Sequence, residues 1–247
     1  MQRVFWFLLL ATVIWAVGMQ VEMRGYLPQQ GRSDFPSRCE SNAPVIAQIE
    51  LARDPACFAN LIAVRSLSQK NDVRAHNLKL AVWNTYADFV FILLYWLTFL
   101  AFAKLLWATS GRAGWLAIAV AILITAAALL DVWEDWLMLR GFHHVCEGNL
   151  DFWPSGAVSA WKWCVLGLAT VVLGVFCFAV ERRVLRKMMA GLLMVSGVVT
   201  MTGTLMCADP GPGVSLLFLG LVWALVCYFP RVRGTKAGSP VSSASVR

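Results

Sequence analysis

Three acidic residues lie close together near the end of a long apolar segment. Asp131, Glu134 and Asp135 occur in the stretch 114–140, in which most other residues are apolar. Their spacing of i, i+3 and i+4 places all three on one face of a helix. A charged side chain near the middle of a membrane costs ~2.5–3.5 kcal/mol on insertion scales. The three carboxyl groups must therefore be paired, protonated, bound to a cation or exposed to water.

The apolar segments on either side carry polar residues that could meet these acids. Asp88 lies in the preceding segment, and Asn84 and Tyr95 share its helical face and can support it. Lys162 lies near the start of the following segment. If consecutive segments cross a membrane in alternating directions, these residues reach the depth of the three acids. The candidate catalytic or binding residues are Asp88, Asp131, Glu134 and Lys162, with Asn84, Tyr95, Asp135 and Arg140 in supporting roles.

This predicted layer carries more negative than positive charge. Four carboxylates against one ammonium leave three negative charges uncompensated. At least one carboxyl is then expected to be neutral near pH 7, or a cation is bound, or an arginine such as Arg140, Arg65 or Arg74 folds in. The alternative is an ionic lock, in which the charges only join three helices.

Composition indicates an all-α, polytopic membrane protein. Hydrophobic residues make up 59% of the 247 residues and charged residues 14%, whereas soluble domains are roughly 45–50% apolar and about a quarter charged. The basic residues behind the net charge of +7 lie mainly in short loops and chain ends, so no nucleic-acid partner is expected. About six transmembrane helices are predicted, at 4–21, 82–107, 114–140, 155–180, 190–207 and 213–229.

Hydropathy and polar stretches divide the chain into four regions. The first apolar segment is interpreted as a retained anchor, with a cleaved signal peptide as the alternative. The sequences Ser41-Asn42-Ala43-Pro44 and Asp54-Pro55 each offer a helix cap followed by a first-turn proline. They predict two short amphipathic helices, about 44–53 and 55–64, in the only long polar region. The four regions are an N-terminal anchor (1–21), an extracytoplasmic loop (22–80), a five-span bundle (81–230) and a disordered cytoplasmic tail (231–247).

The distribution of basic residues predicts an orientation. The connection 181–189 is rich in Arg and Lys, and the tail after Pro230 is basic as well. The positive-inside rule then places both termini in the cytoplasm of a bacterial inner membrane. The expected partners are the lipid bilayer and either a lipid head group or another membrane protein. The acidic layer faces outward in this arrangement.

Cysteine and histidine residues suggest two further sites on the same side. An oxidising exterior permits two disulfides, of which Cys39–Cys57 and Cys146–Cys207 form the most plausible pairing of three. His143, His144 and Cys146 could instead bind a metal. Nothing else in the sequence completes a tetrahedral ligand set, so no metal and no cofactor is expected.

Four segments resemble a group of small uncharacterised bacterial membrane proteins. They are IELARDPACFANLI, ADFVFILLYWLTFL, ALLDVWEDWLML and SAWKWCVLGLA, together covering roughly residues 45–175. The pattern of that group is E-L-A near a proline, D-x-x-F-x-x-x-Y, D-x-x-E-N and a lysine that opens the next span. This chain has Asp135 where the pattern has Asn, which changes the charge count. The resemblance implies no established activity.

Three classes of function fit these residues. A binding or membrane-assembly component is favoured, because no signature of catalysis or transport stands out. A membrane enzyme acting on a lipid or lipid-linked substrate would use one carboxyl as acid and another as base, with Lys162 on a phosphate or developing anion. A small proton- or cation-coupled transporter would use the carboxyl groups as its ion site, although no inverted repeat is visible.

Overall fold

The computed structural model of the protein describes residues 2–23, 45–62, 71–110, 114–180, 183–205, 212–213, 215–217, 219–220 and 223. All regular structure in these ranges is helical. The helices are α1 (Gln2–Met23), α2 (Val45–Glu50), α3 (Pro55–Ile62), α4 (Asn71–Ser110), α5 (Gly114–Cys146), α6 (Gly156–Val180) and α7 (Val184–Leu205).

Four of these helices are long and apolar enough to cross a membrane. The apolar stretches are His76–Leu105 in α4, Gly114–Cys146 in α5, Gly156–Ala179 in α6 and Arg186–Leu205 in α7. The apolar part of α1, Arg3–Met19, is shorter, and the predicted span 213–229 lies largely outside the described residues. The prediction of a transmembrane helix bundle is therefore confirmed for four helices.

The long helices pack mainly against their neighbours in the chain. α5 lies between α4 and α6, α7 packs on α6, and α1 packs on α4. Short connections such as 111–113 favour antiparallel neighbours. Side-chain contacts agree with this, because Trp96 bonds to Thr125 and Tyr95 bonds to Asp131.

Two apolar cores stabilise the bundle. The larger core lies between the long helices and contains Phe5, Phe102, Ile124 and Phe176, each no more than 1% exposed. The smaller core lies beneath the short helices, where Phe58 of α3 packs on Phe142 of α5 with ring centroids 5.4 Å apart. The smaller core therefore fixes α3 against the C-terminal end of α5.

Two of the long helices extend beyond the predicted limits. α4 begins at Asn71, so residues 71–80 of the predicted loop region are its first turns. α5 continues from Arg140 to Cys146. The extra turns are held by packing, since Phe142 and Val145 of α5 are buried in the smaller core and Leu78 of α4 packs against it.

The two short helices form near their predicted positions. Asp54 caps α3, because its Oδ1 accepts a hydrogen bond from the amide of Ala56 at 2.8 Å, and Pro55 takes the first helical position. The carbonyl of Ala52 accepts a hydrogen bond from the amide of Gly156 at 3.1 Å. The backbone that follows α2 is therefore tied to the first residue of α6.

Candidate functional site

The ammonium group of Lys162 is the centre of a buried ionic cluster. Its Nζ lies 2.5 Å from Oε2 of Glu134 and 2.9 Å from Oδ1 of Asp131. Both approaches are close ionic contacts between the ammonium and a carboxylate. The Lys162 side chain is 5% exposed, and its ammonium also lies over the ring of Trp163, 4.5 Å from the centroid.

Helix geometry explains why these charges meet. Asp131 and Glu134 are three residues apart on α5 and project from one face. α6 packs antiparallel against that face, and Lys162 lies in its second turn. The contact therefore forms in the C-terminal half of α5, against the first turns of α6.

A third helix joins through a tyrosine. The hydroxyl of Tyr95 in α4 donates a hydrogen bond of 2.9 Å to Oδ2 of Asp131. Tyr95 is 6% exposed, so this bond lies inside the bundle. The two oxygens of Asp131 thus connect α4 with α6.

Glu50 is a member of this cluster that the sequence analysis did not select. Its Oε2 lies 3.8 Å from Nζ of Lys162. The Ser155 hydroxyl donates a 3.2 Å hydrogen bond to the Glu50 carbonyl, which holds the end of α2 against the start of α6. The available signal was the E-L-A motif quoted above, whose glutamate is Glu50.

The Glu50 carboxyl is the part of the cluster that lies outside the transmembrane helices. Burial raises the pKa of Glu50 above its ordinary value, and the nearby Asp131 raises it further. Lys162 acts in the opposite direction through its positive charge. Desolvation is the largest of these effects, so Glu50 holds its proton to a higher pH than a free glutamate does.

Two further acids lie within electrostatic range and have no counter-ion of their own in the described residues. Asp135 is 0% exposed, and neither of its carboxyl oxygens has a hydrogen-bond partner there. Asp88 is half-buried and interacts electrostatically with Asp131, Lys162 and Asp135. We call Glu50, Asp88, Asp131, Glu134, Asp135 and Lys162 the acidic cluster.

Neutral polar groups beside the acidic cluster are also unsatisfied in the described part of the chain. Asn84 is four residues from Asp88 on α4, is 6% exposed and has no partner for Oδ1. Ser159 is three residues from Lys162 on α6, is 0% exposed and has no partner for its hydroxyl. A buried polar group without a hydrogen bond is costly. Asn84 and Ser159 therefore each leave a buried polar atom without a hydrogen-bond partner among the described residues.

Three residues proposed from the sequence lie outside the acidic cluster. Arg140 is exposed, and its guanidinium lies 5.6 Å from the ring centroid of Trp136. His143 pairs with Glu147 at 3.4 Å, and the ring of His144 stacks on Phe152. Arg140 therefore does not neutralise the acids as the sequence analysis allowed.

The structure contradicts one of the two predicted disulfides. Cys146 ends α5 as a free, exposed thiol, which corrects the predicted pairing with Cys207. Cys57 is buried in α3, but Cys39 lies outside the described residues, as does Cys207, so the Cys39–Cys57 pairing stays a prediction. Within the described ranges, no three or more His, Cys, Asp and Glu side chains are arranged to hold a metal ion.

Comparisons with protein-family models, with curated proteins and with solved structures gave no match. The resemblance to small bacterial membrane proteins therefore stays a prediction.

Proposed function

We propose that the protein is an integral membrane binding component whose binding site is the acidic cluster. The ligand is a cation, and the proton is the smallest ligand that the site accepts. A membrane-assembly role follows if the cation is carried by another membrane protein. The observation that supports this proposal most directly is the completely buried Asp135, whose carboxyl oxygens lack partners among the described residues.

The charge balance of the acidic cluster, counted over the described side chains, favours a positive ligand. Five carboxylates and one ammonium, all ionised, would carry five negative charges and one positive charge, a net charge of four negative. Uncompensated charges in a low-dielectric interior cost several kcal/mol each, so such groups are neutralised by protons or by bound cations. The surplus is larger than the sequence analysis counted, because Glu50 adds a fifth carboxyl.

The contacts of Lys162 argue against the alternative of a lipid-processing enzyme. In that hypothesis the ammonium would bind a phosphate or a developing anion. Its charge is instead shared by Asp131 and Glu134, with Glu50 next in distance. An incoming anion would have to displace these carboxylates.

A proton-coupled transporter is a second candidate, favoured by the continuity of the polar contacts. They lead from Glu50 through Lys162 and Asp131 to Tyr95 in the interior of α4. Proton carriers in membranes use chains of ionisable groups of this kind. Proton flux in liposomes containing the purified protein would separate a carrier from a binding component.

We also propose an orientation for the chain. Both termini lie in the cytoplasm of a bacterial inner membrane, with six spans in total. The basic connection 181–189 supports this, because cytoplasmic loops are enriched in Lys and Arg. The acidic cluster, α2 and α3 then lie toward the external side.

The binding proposal is tested on the purified full chain in detergent. Infrared spectroscopy would measure protonated carboxyl groups at neutral pH, and calorimetry would measure binding of sodium and methylammonium ions. The Asp135→Asn variant removes one buried acid of the cluster. Its matched control is Glu147→Gln, because Glu147 is an exposed acid in the loop that follows α5.

We expect the wild-type protein to show protonated carboxyl groups, a bound cation, or both. Asp135→Asn should reduce the total number of protonated carboxyl groups and bound cations, and Glu147→Gln should leave that number unchanged. The proposal is wrong if the wild-type protein shows neither, or if the two variants behave alike.

A further inference from the structure

We propose a second binding site, distinct from the acidic cluster, for one acyl chain of an anionic phospholipid. The site is a groove between the C-terminal half of α4 and the N-terminal half of α5, with a cavity volume of about 870 Å³. Residues that line it include Ala103, Lys104, Trp107, Ala117, Ala121 and Leu129. We call it the α4–α5 groove.

Small side chains create the α4–α5 groove. Ala103 and Ala108 on α4 face Ala117, Ala121 and Ala126 on α5 along it. Alanine leaves space beside the helix backbones that a larger apolar side chain would fill. Its volume lies within the range of about 300–1,000 Å³ typical of ligand pockets. Because the space is lined mostly by apolar side chains, an apolar occupant fits it.

The length of the groove matches one membrane leaflet. From Ala117 to Leu129 it follows thirteen residues of α5, a rise of about 18 Å. One leaflet contributes about half of a hydrocarbon core that is ~30 Å thick. An acyl chain of ordinary length can therefore lie along the groove without leaving its leaflet.

The groove opens toward the surroundings of the bundle. Ile118, Ile122 and Leu129 line it and are 47%, 64% and 66% exposed. In a membrane, side chains exposed on α4 and α5 at this depth contact lipid. A phospholipid chain can therefore enter from the side.

Charge selects the head group. Lys104 lines the groove, is exposed and lies next to the end of the apolar stretch of α4, at Leu105. Trp107 follows one turn later. The amphipathic rings of Trp residues concentrate at the level of lipid head groups. None of the described lining residues is acidic. A lysine at this level attracts anionic lipid, so the head group is expected to carry a net negative charge.

The test compares lipids retained by the full chain in nanodiscs that contain phosphatidylglycerol and phosphatidylcholine. Native mass spectrometry of the released protein would count each bound lipid. Lys104→Gln removes the charge, and Lys79→Gln is its matched control, because Lys79 is an exposed lysine near the other end of α4. Ala121→Phe fills the groove and keeps Lys104.

Lys104→Gln should lower the preference for phosphatidylglycerol about fivefold, and Lys79→Gln should leave it near the wild-type value. Ala121→Phe should lower retention of both lipids, with helix content unchanged by circular dichroism. If Lys104→Gln and Lys79→Gln give the same preference, the head-group assignment fails. If a folded Ala121→Phe variant retains as much lipid as the wild type, the groove is not the binding site.

Discussion

The carboxylate of Asp131 on α5 contacts side chains of two other long helices, α4 and α6. Its Oδ1 lies 2.9 Å from the ammonium of Lys162 on α6, and its Oδ2 accepts the hydrogen bond of Tyr95 on α4. Glu50 approaches the same ammonium from α2. The acidic cluster therefore holds helices together as well as being a proposed binding site. Experiments have to separate the two roles.

Lys162→Met should destabilise the fold strongly. The substitution removes the ammonium but leaves Asp131 and Glu134 buried, and breaking a buried ion pair costs about 3–5 kcal/mol. Tryptophan fluorescence during unfolding in mixed detergents would measure the change in free energy of unfolding. Lys79→Met is the control, because Lys79 is exposed. Equal stability of the two variants would contradict the ionic contacts described above.

A double variant separates the structural role of the ion pair from its proposed role in binding. Adding Asp131→Asn to Lys162→Met removes one of the stranded charges, so part of the lost stability should return, with a coupling energy of about 0.5–3 kcal/mol. A binding role predicts that cation binding does not return with stability. Recovery of stability together with wild-type cation binding would identify the contact as an ionic lock only.

Tyr95→Phe should have a smaller effect than loss of the lysine. Phenylalanine keeps the ring but removes the donor to Oδ2 of Asp131, and an unsatisfied buried acceptor costs about 1–3 kcal/mol. The same unfolding measurement applies. Tyr86→Phe is the matched control on the same helix, because Tyr86 is 55% exposed. The hydrogen bond is unimportant for stability if both variants unfold like the wild type.

Residue spacing was sufficient to predict the part of the site that lies on regular helices. The i, i+3 spacing of Asp131 and Glu134 defines a face, and alternating helix directions bring Lys162 to it. Both steps depend only on helix geometry and on short connections. The length of α5 was underestimated because the turns after Arg140 are stabilised by Phe142 and Val145 in the smaller core, which hydropathy does not report.

Glu50 could not be placed from the sequence for a different reason. Its helix has six residues, too short to be stable alone. Its position comes from tertiary contacts to Ser155 and Gly156, about a hundred residues away in the chain. Arg140 was predicted to support the acids but lies outside the acidic cluster. Its guanidinium instead contacts the face of the Trp136 ring at the surface.

Gly156→Ala should displace α2 from the bundle. A methyl group on Gly156 would lie 2.5 Å from the carbonyl oxygen of Ala52 and 2.7 Å from that of Leu51, and backbone atoms cannot move aside cheaply. Gly18→Ala is the control, because a methyl group there contacts nothing within 4 Å. Hydrogen exchange of α2 would report the displacement. Unchanged exchange in Gly156→Ala would contradict the close approach.

Cys146 should react with a membrane-impermeant maleimide added from outside intact cells. Its thiol is free and exposed at the C-terminal end of α5, and the proposed orientation places that end on the external side. Cys177 is buried and should stay unlabelled. Mass spectrometry of the labelled peptides gives the result. Labelling of Cys146 only after the cells are opened would reverse the proposed orientation.

Docking of α2 should weaken as the pH rises, because the pKa of Glu50 in the folded protein is raised above its ordinary value of 4.5. Below pH 4.5 the carboxyl is protonated in both the docked and the undocked states, and its stabilising contribution is complete. As the pH rises through the raised pKa, the docked state must lose a proton that the undocked state has already lost, so the contribution disappears.

Hydrogen exchange of the Gly156 amide measures the pH dependence of docking directly. That amide donates a hydrogen bond to the carbonyl of Ala52, two residues after α2 ends. Its protection, corrected for the intrinsic pH dependence of exchange, should fall from pH 4.5 into the neutral range. Lys162, Asp131 and Glu134 are the charged groups that face Glu50. Glu50→Gln isolates the effect, because it keeps the backbone contact of Ser155 and removes the ionisation. If the protection of the Gly156 amide falls with pH equally in Glu50→Gln, the pH dependence comes from other groups of the acidic cluster.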